Sequence, residues 1–119
     1  MTRRSWIRTA LFAVSASIAV AAGCLAPTLP VPPPSQPEII GPGADGLVTL
    51  KGRAGSAQSQ AEITVWNPAL DGGKGEGRTT IANPDGSWQE TIPAAPKQTL
   101  WVWQTVGFER SSQIEVHIP

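Results

Sequence analysis

Beyond residue 45 the apolar positions recur at every second residue in short runs, which is the period of a β-strand with one face buried. Leu47-Val48-Thr49-Leu50-Lys51 is the first such run, and Ala61-Glu62-Ile63-Thr64-Val65-Trp66 follows with Ala61, Ile63 and Val65 on one face. Arg78 to Ala82 and Ser87 to Ile92 flank Asn83-Pro84-Asp85-Gly86, where proline suits the first central position of a tight turn and glycine accepts the left-handed conformation that closes it. This predicts a hairpin. Leu100 to Val106 and Gln113 to Ile118 complete the set; in the last, Ile114, Val116 and Ile118 point inward and Gln113, Glu115 and His117 outward. No segment after residue 24 has a helical period. About six to seven short strands over residues 43–119, with no disulfide or metal cluster to staple them, predict an all-β fold, a small antiparallel β-sandwich.

The chain ahead of these strands has two other textures. Arg3, Arg4 and Arg8 give a positive start, Thr9 to Ala22 is a largely apolar run of 14 residues, and Ala21-Ala22-Gly23 leads into Cys24. Residues 1–23 read as an export signal, since the apolar run is shorter than the roughly 20 residues of a membrane span. Residues 24–42 contain seven prolines and a single ionisable side chain, Glu38. Proline fixes its own backbone angle and restricts its predecessor, so this stretch reads as an extended tether, with Leu25 to Pro37 reaching ~40 Å. A ligand for a proline-reading groove is the competing reading, but such grooves belong chiefly to cytoplasmic domains.

Composition narrows the function. The 119 residues balance to a formal charge of zero, but the three arginines of the signal distort that figure. The remainder carries six Lys/Arg against nine Asp/Glu, about −3, which excludes the basic face that nucleic acid requires. Its size excludes a multidomain enzyme. One cysteine in an exported chain has no partner for a disulfide, and lipidation would consume it.

The segment Val20-Ala21-Ala22-Gly23-Cys24 resembles the lipobox of bacterial lipoproteins, although a larger aliphatic residue is more usual where Ala21 stands. The resemblance implies that the signal is cut before Cys24, and that Cys24 carries fatty acyl chains such as palmitate and anchors the protein to a membrane. Each buried methylene contributes about 0.8 kcal/mol of membrane affinity, so two or more chains make attachment durable. Leu25 after the cysteine resembles the outer-membrane sorting pattern. Thr2-Arg3-Arg4-Ser5-Trp6-Ile7-Arg8 resembles the twin-arginine motif, and it also fits an ordinary start for the general secretory route. Gly52-Arg53-Ala54-Gly55, the strand from Ala61 to Asn67, the turn Asn83-Pro84-Asp85-Gly86-Ser87-Trp88, Ile92-Pro93-Ala94 and Leu100-Trp101-Val102 together resemble the Ig-like and carboxypeptidase regulatory-like modules of envelope proteins. That likeness implies an Ig-like sandwich and transfers no functional residue. Glu90 stands where such modules place an apolar inward residue.

Catalytic chemistry finds no foothold. On one strand, His117 and Ser111 would stand roughly 20 Å apart, too far for a base and its nucleophile. One histidine and one lipid-bearing cysteine do not make a zinc shell. Asp71 and Glu76 lie in the Gly-rich loop Asp71-Gly72-Gly73-Lys74-Gly75-Glu76-Gly77, which lacks both the fixed geometry of acid/base catalysis and the Walker pattern. Asn83 and Asp85 could serve a calcium ion, but the turn alone accounts for them. No catalytic residue, metal ligand or cofactor is assigned.

The tryptophans stand out. Along Leu100-Trp101-Val102-Trp103, Leu100 and Val102 share one face while Trp101 and Trp103 share the other, about 7 Å apart. Trp66 lies opposite Ile63 and Val65, so neighbouring strands would combine Trp66, Trp101 and Trp103 into an outer aromatic platform suited to sugar rings or a protein partner. The alternative is that they fill the small core or lie beneath the Gly-rich loop; Trp88, just after the tight turn, belongs to the core. The expectation is a membrane-anchored surface lipoprotein of the bacterial cell envelope, a non-catalytic binding or structural module. Its partners would be the membrane through Cys24 and an envelope protein or polysaccharide. Carbohydrate or peptidoglycan binding through the three tryptophans is the alternative reading.

Overall fold

The computed structural model describes residues 29–119; the export signal, the lipobox and Cys24 lie outside the described residues. Eight strands run in chain order as β1 (Glu38–Ile40), β2 (Leu47–Gly52), β3 (Glu62–Asn67), β4 (Glu76–Ile81), β5 (Trp88–Pro93), β6 (Thr99–Val106), β7 (Glu109–Arg110) and β8 (Ile114–His117). A three-stranded sheet has the order β1-β2-β5, and a five-stranded sheet has β4-β3-β6, with β7 and then β8 pairing the far side of β6. All the pairings are antiparallel. A single 3-10 turn at Asp71–Gly73 is the only helical element among the described residues.

The alternation in the sequence decides which faces meet. Val48 and Leu50 of β2, Ile63 and Val65 of β3, Ile92 of β5, Leu100 and Val102 of β6 and Val116 of β8 are fully buried between the sheets. Burying one such side chain contributes about 1.5–3 kcal/mol relative to leaving it in water. Trp88 closes one end of this core, and its indole Nε1 donates to Ser56 Oγ at 3.1 Å. Gly52 lies opposite Trp88 in the β2–β5 register. The indole occupies the space that a Cβ at Gly52 would fill. Asn67, also fully buried, ties the other end: its Nδ2 donates to the Pro93 carbonyl and to Gln98 Oε1, and its Oδ1 accepts from Ala69 N–H.

Two local expectations need correction, and Glu90 is accommodated without one. The turn at Asn83 to Gly86 forms as expected, with Gly86 N–H donating to the Asn83 carbonyl at 2.9 Å and Gly86 at φ +85°. It does not make a hairpin, because β4 pairs with β3 and β5 pairs with β2 in the opposite sheet. Long-range hydrogen bonds override the local preference: Gly55 N–H donates to the Asp85 carbonyl and Ala57 N–H to that of Gly86. The described part of the 24–42 stretch is not simply a tether, since Glu38–Ile40 adds a strand to β2. Upstream of it Pro34 and Pro37 are buried, Ser35 N–H donates to the Ser56 carbonyl, and buried Gln104 donates through Nε2 to the Pro32 carbonyl. Prolines without N–H groups suit such a strap, which leaves few backbone donors to satisfy. Glu90, finally, does not shift the register of β5. It pairs with Leu50 on the inward face of a strand at the sheet edge and stays half-buried, its Oε1 accepting from Thr91 N–H.

Candidate functional site

The outer face of the five-stranded sheet is built by the same two-residue period that buries its inner face. Because Ile63 and Val65 point into the core, Thr64 and Trp66 point out; because Leu100, Val102 and Gln104 are buried, Trp101 and Trp103 point out. The register then sets Trp66 directly opposite Trp101 and Thr64 opposite Trp103. One row across the sheet reads Gly77, Trp66, Trp101, Glu115, and the next begins Thr79, Thr64, Trp103. Directly opposed residues have Cβ atoms about 4.5–5.5 Å apart, so Trp66 and Trp101 form one aromatic surface.

All three indoles are half-buried and line a shallow groove of about 580 Å³. Each is held differently. Trp66 is flanked by glycines that leave room for its ring: a Cβ at Gly77 would stand 2.8 Å from Cε3, and one at Gly75 would overlap the indole. Part of the Gly-rich loop therefore does lie against this tryptophan. Trp103 carries the Arg110 guanidinium over its ring, 3.8 Å from the centroid. Trp101 sits between Trp66 and Glu115 in the register. The composition of the groove is thus aromatic, with threonine hydroxyls along one side and a cation at one end. Sequence period put Trp101 and Trp103 on one face and Trp66 opposite Ile63 and Val65, but left that face open between the outer surface and the core; Arg110 and the two glycines were not legible, because each meets its indole across strands or from a loop.

The remaining candidates resolve into structural roles. His117 is exposed, with Nδ1 3.0 Å from Thr99 Oγ1 and Nε2 3.7 Å from Glu115. Ser111 is buried just ahead of β8; its Oγ donates to the Ser112 carbonyl and accepts from Gln104 N–H. The Asp85 carboxyl is held below its ordinary value first by the Ser87 hydroxyl, 2.6 Å away, and then by Ser87 N–H. Asn83 donates to the same Ser87 hydroxyl, so these side chains satisfy one another within the turn. No group of three or more metal-ligating side chains occurs among the described residues. No helix among them is long and apolar enough to cross a membrane. A second depression, about 460 Å³ beside Leu70, Pro93 and Pro96, has no ionisable lining residue.

With β1, β2 and β5 in one sheet and β3, β6 and β8 in the other, strand order and packing define an Ig-like β-sandwich; β4 extends the second sheet beside β3. Such a fold is a scaffold, and its function lies in whichever faces and loops a given chain decorates. No family model and no curated protein matches this chain. Among solved structures it is similar to the fn3 domain of the human collagen alpha-1(XX) chain, at 14% identity and a TM-score of 0.49, over 80% of this chain and 93% of that one.

Proposed function

We propose that this protein is a lipid-anchored module of the bacterial cell envelope that binds a partner through the Trp66, Trp101 and Trp103 face and catalyses no reaction. The anchor is acylated Cys24 after removal of residues 1–23, with export by the general secretory or the twin-arginine route and the outer membrane as destination. The observation that carries the binding role is the pairing of Trp66 with Trp101 on a solvent-facing groove, with Trp103 beside them. Three half-buried indoles side by side on an outer face leave a contiguous apolar surface of the kind that a partner covers. A sugar chain is the ligand class the groove favours: aromatic rings stack on the apolar faces of pyranose rings, while threonine hydroxyls and indole N–H groups accept or donate at the rim. An envelope protein docking on the same face is the other reading.

Soluble peptidoglycan fragments and neutral oligosaccharides should quench the intrinsic tryptophan fluorescence of the domain. Trp101→Ala and Trp103→Ala should abolish quenching while leaving the circular dichroism spectrum unchanged. Quenching that survives both substitutions would exclude this face. Mass spectrometry of the native protein tests the anchor, the expected species beginning at a triply or doubly acylated Cys24.

A further inference from the structure

Among the described residues, the most exposed apolar side chains gather at one end of the sandwich, the end where the N-terminal strap enters. β3 begins and β4 and β6 finish there, as the Glu62–Ile81 and Glu62–Thr105 pairings show. The Pro32 carbonyl meets Gln104 at this end, and Ser35 meets Ser56 in the loop that follows β2. Five large apolar side chains are exposed among the described residues: Phe108 at 108%, Leu29 at 87%, Ile81 at 60%, Ile40 at 44% and Leu47 at 38%. The three highest belong to the entry end. Phe108 tips the β6–β7 turn, Leu29 lies three residues ahead of Pro32, and Ile81 ends β4. Ile40 and Leu47, the two lowest, finish β1 and start β2 at the opposite end.

We infer that this end lies against the lipid bilayer, with Phe108 at the β6–β7 tip inserting at the level of the headgroups as a second contact beside the acyl anchor. The inference rests on the proposed acylation of Cys24. Seven residues lie between that cysteine and Pro32, and the eight Cα–Cα steps from one to the other span at most roughly 28 Å. The folded domain is therefore kept close, and it is the entry end that faces the surface. An exposed aromatic ring at the tip of a turn is the shape that enters an interfacial layer without unfolding its scaffold. The charged groups of this end have both signs, Arg53 and Arg110 against Glu62, Asp85 and Glu109, so attraction to anionic lipids does not hold the domain there. The contact should accordingly persist at high salt. It also sets the aromatic groove upright on a side wall of the sandwich, with Arg110 and Trp103 nearest the membrane and the Trp66–Trp101 pair farther from it.

The test uses the native acylated protein in phosphatidylethanolamine–phosphatidylglycerol vesicles, with the environment-sensitive dye NBD on a thiol introduced by Glu109→Cys or, at the opposite end, Ala95→Cys. Cys24 Sγ is blocked by its lipid, so each variant carries one reactive thiol. Headgroup-region spin-labelled lipid should quench the Glu109→Cys probe roughly threefold more than the Ala95→Cys probe, and adding Phe108→Ser should remove most of that difference. Phe108 is fully exposed, so its substitution leaves the fold intact. Equal quenching at the two positions, in protein that floats with the vesicles, would overturn the inference while leaving the anchor standing. Protein that fails to float would overturn both.

Discussion

Glycine decides two of the aromatic sites. At Gly52 the absent side chain is occupied by the Trp88 indole, which is itself held by Ser56. Gly52→Ala should cost about 2–3 kcal/mol, since the core must shift a buried ring to admit the methyl group, and urea unfolding will show it as a lower midpoint. Gly77→Ala is the opposite case. Its Cβ would press on Trp66 Cε3 at the exposed sheet edge, so stability should change by less than about 1 kcal/mol while the groove's fluorescence response to ligand weakens. Asp85 supplies a pH dependence. Its carboxyl is depressed by the Ser87 hydroxyl and N–H, so the charged form contributes stability at neutral pH that is lost as the pH falls below about 4, through the depressed value. Thermal unfolding of Asp85→Asn should lack that part of the acid decline. Sequence named the turn residues at this site, yet it could not name Gly52 as the partner of Trp88, 36 positions away, because that contact exists only in the β2–β5 register.

At the scale of elements, the strap and β1 belong to the domain. A chain beginning at Gly43 omits the buried prolines Pro34 and Pro37, the Pro32 partner of Gln104 and a strand of the smaller sheet. Compared with a chain beginning at Leu29, it should lose about 3 kcal/mol, a fall in Tm of more than about 10 °C. Proline-rich composition concealed this, because a tether and a strap packed across a sandwich share the same extended backbone and differ only in what they touch. β5 illustrates a second limit. Glu90 faces inward from an edge strand, a charge that deters another chain from adding to that edge at some expense in stability. Glu90→Val should raise the unfolding free energy by about 1 kcal/mol and increase self-association, measurable by sedimentation velocity.

For the whole molecule, the proposal reduces to a sandwich held by acyl chains at one end and presenting indoles on its side. Cys24→Ser should move the protein from the detergent phase to the aqueous phase on phase separation, because the acyl chains provide the durable membrane affinity and one interfacial phenylalanine cannot replace them. The division of labour between sequence and tertiary structure follows from the range of the forces involved. Alternation of apolar and polar residues is local, so six strand regions, the two-layer all-β class and the shared face of Trp101 and Trp103 were legible along the chain, while the choice between outer face and core for that face was not. Pairing is not local. Which strands adjoin, that Asn83–Gly86 connects two sheets instead of one hairpin, that the prolines pack, and that Arg110 caps Trp103 all depend on residues distant in sequence meeting across hydrogen-bonded registers. A two-residue period states which way a side chain points; only the closed sandwich determines what it meets there.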